Sequence, residues 1–211
     1  METKIFNLII LDESGSMVRI EKQAVDGVNE TLQSIRAAQK EHPEQHHFVT
    51  LVAFNEETNI IYDCQAAENA RDITDKDYCP NRCTALYDAM GTSLQTLKKQ
   101  AGSDDKVLVT IVTDGEENAS AEFDSAAIKK LVDELKARGW VFVYMGADHN
   151  VEQVAQRISI TNTMSFSATP QSTVYTLARE RSSRSRMYQR IATGSFDAAE
   201  ENKSFFEEDK K

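Results

Sequence analysis

The chain lacks the long hydrophobic runs that would place it in a membrane. No apolar run approaches the ~20 residues that a helix needs to span a bilayer. The opening segment contains a short apolar stretch that passes directly into acidic and hydroxyl residues, without the small-residue cleavage site of a signal peptide. We therefore expect a buried strand at this position and a cytoplasmic protein with no membrane association.

The chain also has fewer basic than acidic residues. The 24 lysine and arginine residues are outnumbered by 34 aspartate and glutamate residues, which leaves a net charge of −10. An acidic surface repels the phosphates of nucleic acids and the headgroups of anionic lipids, so we expect no nucleic-acid partner. The same surface is compatible with cation binding, although solubility alone explains it equally well.

Cysteine is scarce and its number is odd. The three cysteines, Cys64, Cys79 and Cys83, do not form the even set that a disulfide framework needs. Cys79 and Cys83 are four positions apart and suit half of a zinc site, but the chain offers no second paired motif. We expect free thiols, with a zinc site and a redox pair as the alternatives.

Apolar extended runs alternate along the chain with amphipathic helical stretches, which is typical of an α/β fold with helices on both faces of a sheet. Near-continuous apolar runs predict strands buried on both faces at Lys4–Leu11, Val107–Val112 and Trp140–Met145. The short connection between Phe48–Phe54 and Asn59–Gln65 predicts an antiparallel hairpin. Further periodic stretches predict helices from about Ile20 to Lys40, over Thr84–Gln100, around Ile128–Leu135 and around Val151–Ile158, and a weak strand around Thr163–Phe166.

Three segments organise the chain. We predict one α/β domain over residues 1–168, an arginine-rich helical extension over 169–195 and an acidic flexible tail over 196–211. The arginines of the extension should lie on a solvated face, with pairing to the tail or to a partner as the alternative. They are Arg179, Arg181, Arg184, Arg186 and Arg190. The pair Phe205-Phe206 in the tail is the one feature there that suits docking to another protein.

Residues whose side-chain oxygen atoms could form a binding site fall in three short segments. These are LDESGSM at 11–17, RCTALYDAM at 82–90 and VTDGEEN at 112–118. Asp12 follows the first predicted strand, Asp114 follows the Val107–Val112 strand, and Thr84 opens a predicted helix. In open α/β sheets, ligands bind where loops meet beyond the carboxyl ends of the strands. The segments therefore predict one site at this edge, and its oxygen donors are Asp12, Ser14, Ser16, Thr84 and Asp114.

Carboxylate and hydroxyl oxygens are ligands for a hard divalent cation. Because the hydroxyl groups are neutral, a bound cation keeps residual positive charge and favours one more anionic oxygen from outside. The local alternatives are ordinary: a polar turn and helix cap at Ser14 and Ser16, a helix cap at Thr84, and a turn at Asp114-Gly115. Nearby glutamates, Glu13, Glu116 and Glu117, are either part of the rim of the site or solvated loop acids.

These segments resemble the metal-ion-dependent adhesion site of von Willebrand factor type A domains. That signature is Asp-x-Ser-x-Ser, then a threonine, then an aspartate in a Thr-Asp-Gly context, and this chain has all five positions. The resemblance covers about residues 3–166. It implies a three-layer, Rossmann-like fold whose central, mostly parallel sheet has about six strands and one antiparallel edge strand, with helices on both faces.

The resemblance also implies a function. It indicates a non-enzymatic protein-binding module that holds Mg²⁺, or alternatively Mn²⁺ or Ca²⁺, and coordinates a carboxylate from a protein partner. One departure is Arg82-Cys83 before Thr84, where relatives often have small residues, so access to the metal is expected to be narrower or more rigid.

Two other functions are compatible with the sequence. The first is a metal-dependent phosphoryl-transfer or hydrolytic enzyme that uses Asp12 as its nucleophile. Such an enzyme needs an acid or base beside the nucleophile and a group that binds phosphate, yet no glycine-rich phosphate loop is present. The second is an assembly subunit whose arginine-rich helix and acidic tail contact partners without metal.

Overall fold

The computed structural model describes residues 2–147 and 150–207. Within them the strands are β1 Thr3–Asp12, β2 Gln45–Phe54, β3 Thr58–Ala66, β4 Lys106–Thr113, β5 Trp140–Ala147 and β6 Asn162–Phe166. The helices are α1 Glu21–Glu41, α2 Leu86–Gln100, α3 Ser125–Ala137, α4 Val151–Arg157, α5 Pro170–Ala192 and α6 Ala198–Ser204. Short 3₁₀ segments occupy Gly15–Ile20 and Ala67–Asn69.

The strands form a sheet in the order β3-β2-β1-β4-β5-β6. Neighbouring strands are parallel except for β3, which lies at the edge and runs antiparallel to β2, so the predicted hairpin is confirmed. Strand β1 pairs with both β2 and β4, and Leu11 near its end is opposite Val112 of β4. The loops that follow β1 and β4 therefore start side by side.

Helices cover both faces of the sheet, as side-chain alternation along β1 shows. Ile9 belongs to a core cluster that includes Val28 of α1 and Leu177 of α5. The preceding residue, Leu8, belongs to the opposite cluster with Leu94 of α2. Because successive strand residues face opposite sides of a sheet, this alternation explains why both faces of the strand are apolar. The predicted three-layer α/β fold is confirmed.

Helix α5 is part of this core, and in this respect it differs from the expected extension. A Cβ atom added to Gly27 of α1 would collide with the side chain of Leu177, so the absence of a side chain at Gly27 lets the two helices approach closely. Met187 and Tyr188, further along α5, are also buried in the cluster beneath the sheet.

One arginine of α5 lies inside the protein, contrary to the expected solvated face. Arg184 is fully buried, and its Nη2 atom lies 2.5 Å from Glu180 Oε1. The same nitrogen donates to Thr110 Oγ1 at 2.8 Å, and Nη1 donates to Asn7 Oδ1 at 2.9 Å. The hydroxyl group of Tyr188 also donates to Asn7 Oδ1, at 2.5 Å. A buried charge needs such partners, and here they come from α5, β1 and β4.

The segment predicted as a flexible tail is ordered through residue 207. Asp197 caps α6 by accepting from the amide of Ala199 at 2.8 Å, and Phe205 is fully buried. Asn202 accepts from the amide of Phe142 at 3.1 Å and donates to the carbonyl of Trp140 at 2.8 Å, so α6 completes the hydrogen bonding at the start of β5. The expectation of flexibility was wrong there because one aromatic and one amide side chain anchor the segment. Residues 208–211 lie outside the described part.

Two further expectations concern membranes and thiols. Among the described residues, no helix combines the length and apolar character that crossing a bilayer requires. Cys64, Cys79 and Cys83 are free, and the last two are exposed.

Replacing Arg184 should show how strongly the buried ion pair holds α5 to the sheet. We expect Arg184→Met to lower the free energy of unfolding by about 3–5 kcal/mol, because Glu180 is left as an unpaired buried carboxylate. Urea unfolding measures this difference. The double variant Glu180→Leu/Arg184→Met should regain most of it, since neither charge remains. Arg179→Met, at an exposed position of the same helix, is the control. An Arg184→Met cost no larger than that of the control would contradict the prediction.

Candidate functional site

The structure brings the five predicted donors together beyond the carboxyl ends of β1 and β4. Asp12 is the last residue of β1, and Asp114 directly follows β4. The hydroxyl oxygens of Ser14 and Ser16 are 3.2 Å apart, and Ser16 donates to Asp114 Oδ1 at 2.5 Å. Four donors are buried, at 0% to 4% exposure, whereas Ser16 is exposed. The cluster is therefore reached from solvent on the side of Ser16.

The hydroxyl group of Thr84 lies beside Gly115, which follows Asp114. A Cβ atom added to Gly115 would lie 3.6 Å from Thr84 Oγ1 and 3.8 Å from Ser16 Oγ. Both hydroxyl groups thus lie close to this glycine, within contact distance of any side chain placed there. Thr84 therefore lies near Ser16 and next to the residue that follows Asp114.

The carboxylate of Asp12 is held from two sides. Its Oδ1 accepts from the amide of Ser14 at 2.7 Å, and its Oδ2 accepts from the hydroxyl group of Thr113 at 2.5 Å. Burial raises the pKa of Asp12 from its ordinary value of 3.8 to about 6, with a smaller contribution from the charge of Asp114; the hydrogen bonds act in the opposite direction. The hydroxyl group of Tyr78 donates to the carbonyl of Asp12 at 2.6 Å. The backbone and the carboxylate are both fixed in place.

Asp114 is paired with an arginine that the sequence did not single out. Arg19 Nη2 lies 3.3 Å from Asp114 Oδ2, and Arg19 Nε donates to the carbonyl of Ser16 at 3.3 Å. The side chain of Asp114 is 0% exposed and that of Arg19 is 54% exposed. The guanidinium therefore neutralises a buried carboxylate from the solvent side.

Thr84 is not a helix cap. Helix α2 begins at Leu86, two residues later than predicted, and its cap position is Ala85. The amide of Tyr87 in the first turn is instead bound by Glu117 Oε2 at 2.9 Å. Glu117 therefore has a structural role at the start of the helix. The backbone of Thr84 is held by Asn118, whose Oδ1 accepts from the Thr84 amide at 2.9 Å.

The loop before Thr84 is attached to the loop after β1. Glu13 Oε1 accepts from the amide of Cys79 at 2.5 Å, and the carbonyl of Arg82 accepts from the amide of Gly15 at 3.0 Å. Arg82 has a φ of 65°, in the left-handed region that is strained for a residue with a side chain. Its guanidinium pairs with Glu57 at 2.5 Å. The side chain of Arg82 is thus directed to the β2–β3 turn.

Three residues that support the donors were not assigned from the sequence: Thr113, Asn118 and Arg19. Thr113 and Asn118 lie inside the VTDGEEN segment, and this position is the sequence feature that indicates a role beside the donors. Arg19 offers no comparable signal, because its partner Asp114 is 95 residues away in the chain.

The set of donors suits a hard divalent cation. It consists of two carboxylates and three hydroxyl groups, the oxygen chemistry that Mg²⁺, Mn²⁺ and Ca²⁺ accept. Within residues 2–147 and 150–207 there is no cluster of three or more histidine, cysteine, aspartate or glutamate side chains placed to hold a metal. Cys79 and Cys83 therefore belong to no such cluster in the described part of the chain.

Comparisons with known proteins agree with this architecture. Residues 8–187 match the family model for the von Willebrand factor type A domain. A von Willebrand factor type A structure from Catenulispora acidiphila aligns with a TM-score of 0.63 at 14% identity, over 88% of this chain and 43% of that one. The open conformation of the pilus adhesin SpaC from Lactobacillus rhamnosus GG aligns with a TM-score of 0.67 at 15% identity, over 88% and 30%.

A third similar structure is proximal thread matrix protein 1 from the mussel byssus, with a TM-score of 0.61 at 13% identity, over 83% of this chain and 44% of that one. The chain thus spans less than half the length of these three proteins, and at such identities the likeness concerns the fold. No curated protein matches the chain. The family model, however, covers most of the sequence, including all five donors. The chain belongs to the von Willebrand factor type A domain family.

Proposed function

We propose that this protein is a metal-dependent protein-binding module. Asp12, Ser14, Ser16, Thr84 and Asp114 would hold one divalent cation, with Mg²⁺ favoured and Mn²⁺ or Ca²⁺ as alternatives. The partner is a protein that supplies an aspartate or glutamate side chain. The observation that carries the proposal is the convergence of three hydroxyl groups and two carboxylates at the adjoining ends of β1 and β4.

The electrostatics of the cluster support a cation. Two acidic side chains lie in a buried environment, where the charge of Asp114 destabilises the ionised form of Asp12. When bound, a divalent cation supplies positive charge to both carboxylates and an attraction for one further anionic oxygen. The chain's own contribution is to fix the donors, because Thr113 and the Ser14 amide orient Asp12 while Asn118 orients Thr84.

The surroundings of Asp12 favour binding over catalysis. A nucleophilic carboxylate must present an oxygen to its substrate and needs a neighbouring acid or base. Here both oxygens of Asp12 accept hydrogen bonds and the side chain is fully buried. These contacts suit a ligand or an orienting group, so we propose a non-enzymatic role.

The similar structures are consistent with an adhesive or binding role, since they include a pilus adhesin and a thread matrix protein. Those names describe the other proteins, which are longer than this chain. The free cysteines suit a reducing compartment, so we retain the cytoplasm as part of the proposal.

Selection from a random peptide library tests the proposal and does not require the partner to be identified first. The library is applied to immobilised protein in Mg²⁺, and bound peptides are eluted with EDTA. We expect the eluted peptides to share an aspartate or glutamate, because the metal would accept a carboxylate. Replacing that residue by asparagine or glutamine should abolish the Mg²⁺-dependent binding, measured by fluorescence polarisation.

Two variants with one carboxylate removed provide the matched comparison. Asp114→Ala should lose both the Mg²⁺ heat in calorimetry and the peptide binding, whereas Asp104→Ala, at an exposed position after α2, should retain both. Peptides that bind equally well in EDTA would exclude the metal from recognition. Hydrolysis of p-nitrophenyl phosphate by the wild type, abolished in Asp12→Asn, would instead establish the enzymatic alternative.

Asp12 also links the charge of the site to stability. Its pKa is raised from 3.8 to about 6 on folding, so the folded protein holds the proton more tightly than the unfolded chain does. The resulting stabilisation is fully present below pH 3.8 and is lost as the pH rises through about 6. At neutral pH the metal-free protein therefore bears the cost of one ionised buried carboxylate.

Removing this charge should stabilise the metal-free protein. We expect Asp12→Asn in EDTA to raise the free energy of unfolding at pH 8 by an amount approaching about 3 kcal/mol, with a much smaller gain at pH 4. An asparagine amide can accept from Ser14 and donate to Thr113, whose hydroxyl group then donates to the Gly115 carbonyl. Urea unfolding between pH 4 and pH 8 measures the difference, with Asp104→Asn as control. A gain that does not vary with pH would rule out the titration of Asp12 as its source.

A further inference from the structure

The ion pair between Arg19 and Asp114 places a positive charge of the chain itself at the proposed metal site. One carboxylate oxygen of Asp114 accepts a hydrogen bond from the hydroxyl group of Ser16 at 2.5 Å, and the other lies 3.3 Å from Arg19 Nη2. Asp114 is thus engaged by a hydroxyl donor on one side and by a cation on the other. A guanidinium in this place supplies part of the charge that a metal ion would supply.

The two members of the pair differ in how easily they can move. Asp114 is fixed at the end of β4 and its side chain is 0% exposed, whereas the side chain of Arg19 is 54% exposed. Arginine has a long, flexible side chain whose charged end is readily solvated, so moving it into solvent is inexpensive compared with moving the backbone. Cation binding at Asp114 can therefore displace Arg19 without rearranging the strands.

A guanidinium and a divalent cation beside the same carboxylate would repel each other. Like charges at short distance in a partly buried site are unfavourable, and both compete for the charge of Asp114. The contact with Arg19 therefore stabilises the metal-free protein more than the metal-bound protein. By linkage, a group that stabilises the metal-free state lowers the affinity for the metal by the same factor.

We propose that Arg19 is an internal competitor for the cation: it neutralises Asp114 in the metal-free protein and leaves this carboxylate when a divalent ion binds. The proposal rests on the proposed metal site and adds regulation to it. Arg19 sets the metal concentration at which the site fills, and it keeps the metal-free protein stable despite two neighbouring acidic side chains.

Calorimetric titration with MgCl₂ tests the competition directly. We expect Arg19→Gln to bind Mg²⁺ about two- to fivefold more tightly than the wild type, the range for losing a partly exposed ion pair. Lys22→Gln is the matched control, because Lys22 is also a cation near the start of α1 but pairs with Asp26 rather than with a metal donor. If general charge repulsion were the cause, Lys22→Gln would tighten binding equally, and that result would overturn the proposal.

Thermal unfolding gives a second readout that includes the metal-free state. In EDTA, Arg19→Gln should lower Tm by about 2–4 °C relative to the wild type. In saturating Mg²⁺ that difference should disappear, because Arg19 no longer contacts Asp114. An equal decrease in both conditions would show a purely structural role for Arg19. Mg²⁺ binding by the wild type with unchanged affinity in Arg19→Gln overturns this inference alone, whereas no binding by either protein overturns the metal site as well.

Discussion

The carboxylate of Asp12, buried where the central strand β1 ends, is the constraint around which the site is arranged. Leu11 lies opposite Val112 in the β1–β4 pair, so the residues that follow each strand emerge next to each other. Two acidic side chains then share one buried region. Their ionised forms require compensation, and the protein supplies it from Thr113, from the Ser14 amide and, at Asp114, from Arg19.

The same two strands carry a second buried charge cluster. Asn7 of β1 and Thr110 of β4 contact Arg184, which pairs with Glu180 on α5. Asp12 lies five residues beyond Asn7, so β1 holds the donor cluster at its end and the anchor for α5 further along. The same strand pair therefore positions the donor site and binds α5, one of the helices on that face of the sheet.

Much of this arrangement could be predicted from local patterns. Asp12 and Asp114 come at the ends of long apolar runs. In a parallel α/β sheet the residues at these strand ends lie at the same edge, beyond the carboxyl ends of the strands. The errors occurred where a polar residue has a distant partner. The charged sequence around Arg184 predicts a solvated face, yet its partners Asn7 and Thr110 lie inside the apolar runs of β1 and β4. A polar side chain within a strand buried on both faces needs a hydrogen-bond partner. Asn7 and Thr110 therefore indicate that a polar side chain from another element is buried beside them.

The prediction that the last segment is flexible differs from the structure for another reason. Its charge-rich composition indicated disorder, but composition averages over residues, whereas order here depends on a few of them. Phe205 fills a position in the core, and Asn202 binds the backbone of β5 at both a donor and an acceptor. These contacts become visible only when the sheet is built, because β5 lies about 60 residues earlier in the chain.

Charge balance limits what the proposed site would attract. Asp12 and Asp114 together match the charge of one divalent cation, and three hydroxyl groups add no charge. If Arg19 is displaced but remains nearby, its charge adds to that of the cation beside the site, on a protein whose net charge is −10. An acidic partner would be repelled at long range and attracted at short range, and added salt screens only the first of these effects well. Moderate salt should therefore hinder this kind of recognition less than it hinders an ordinary surface ion pair.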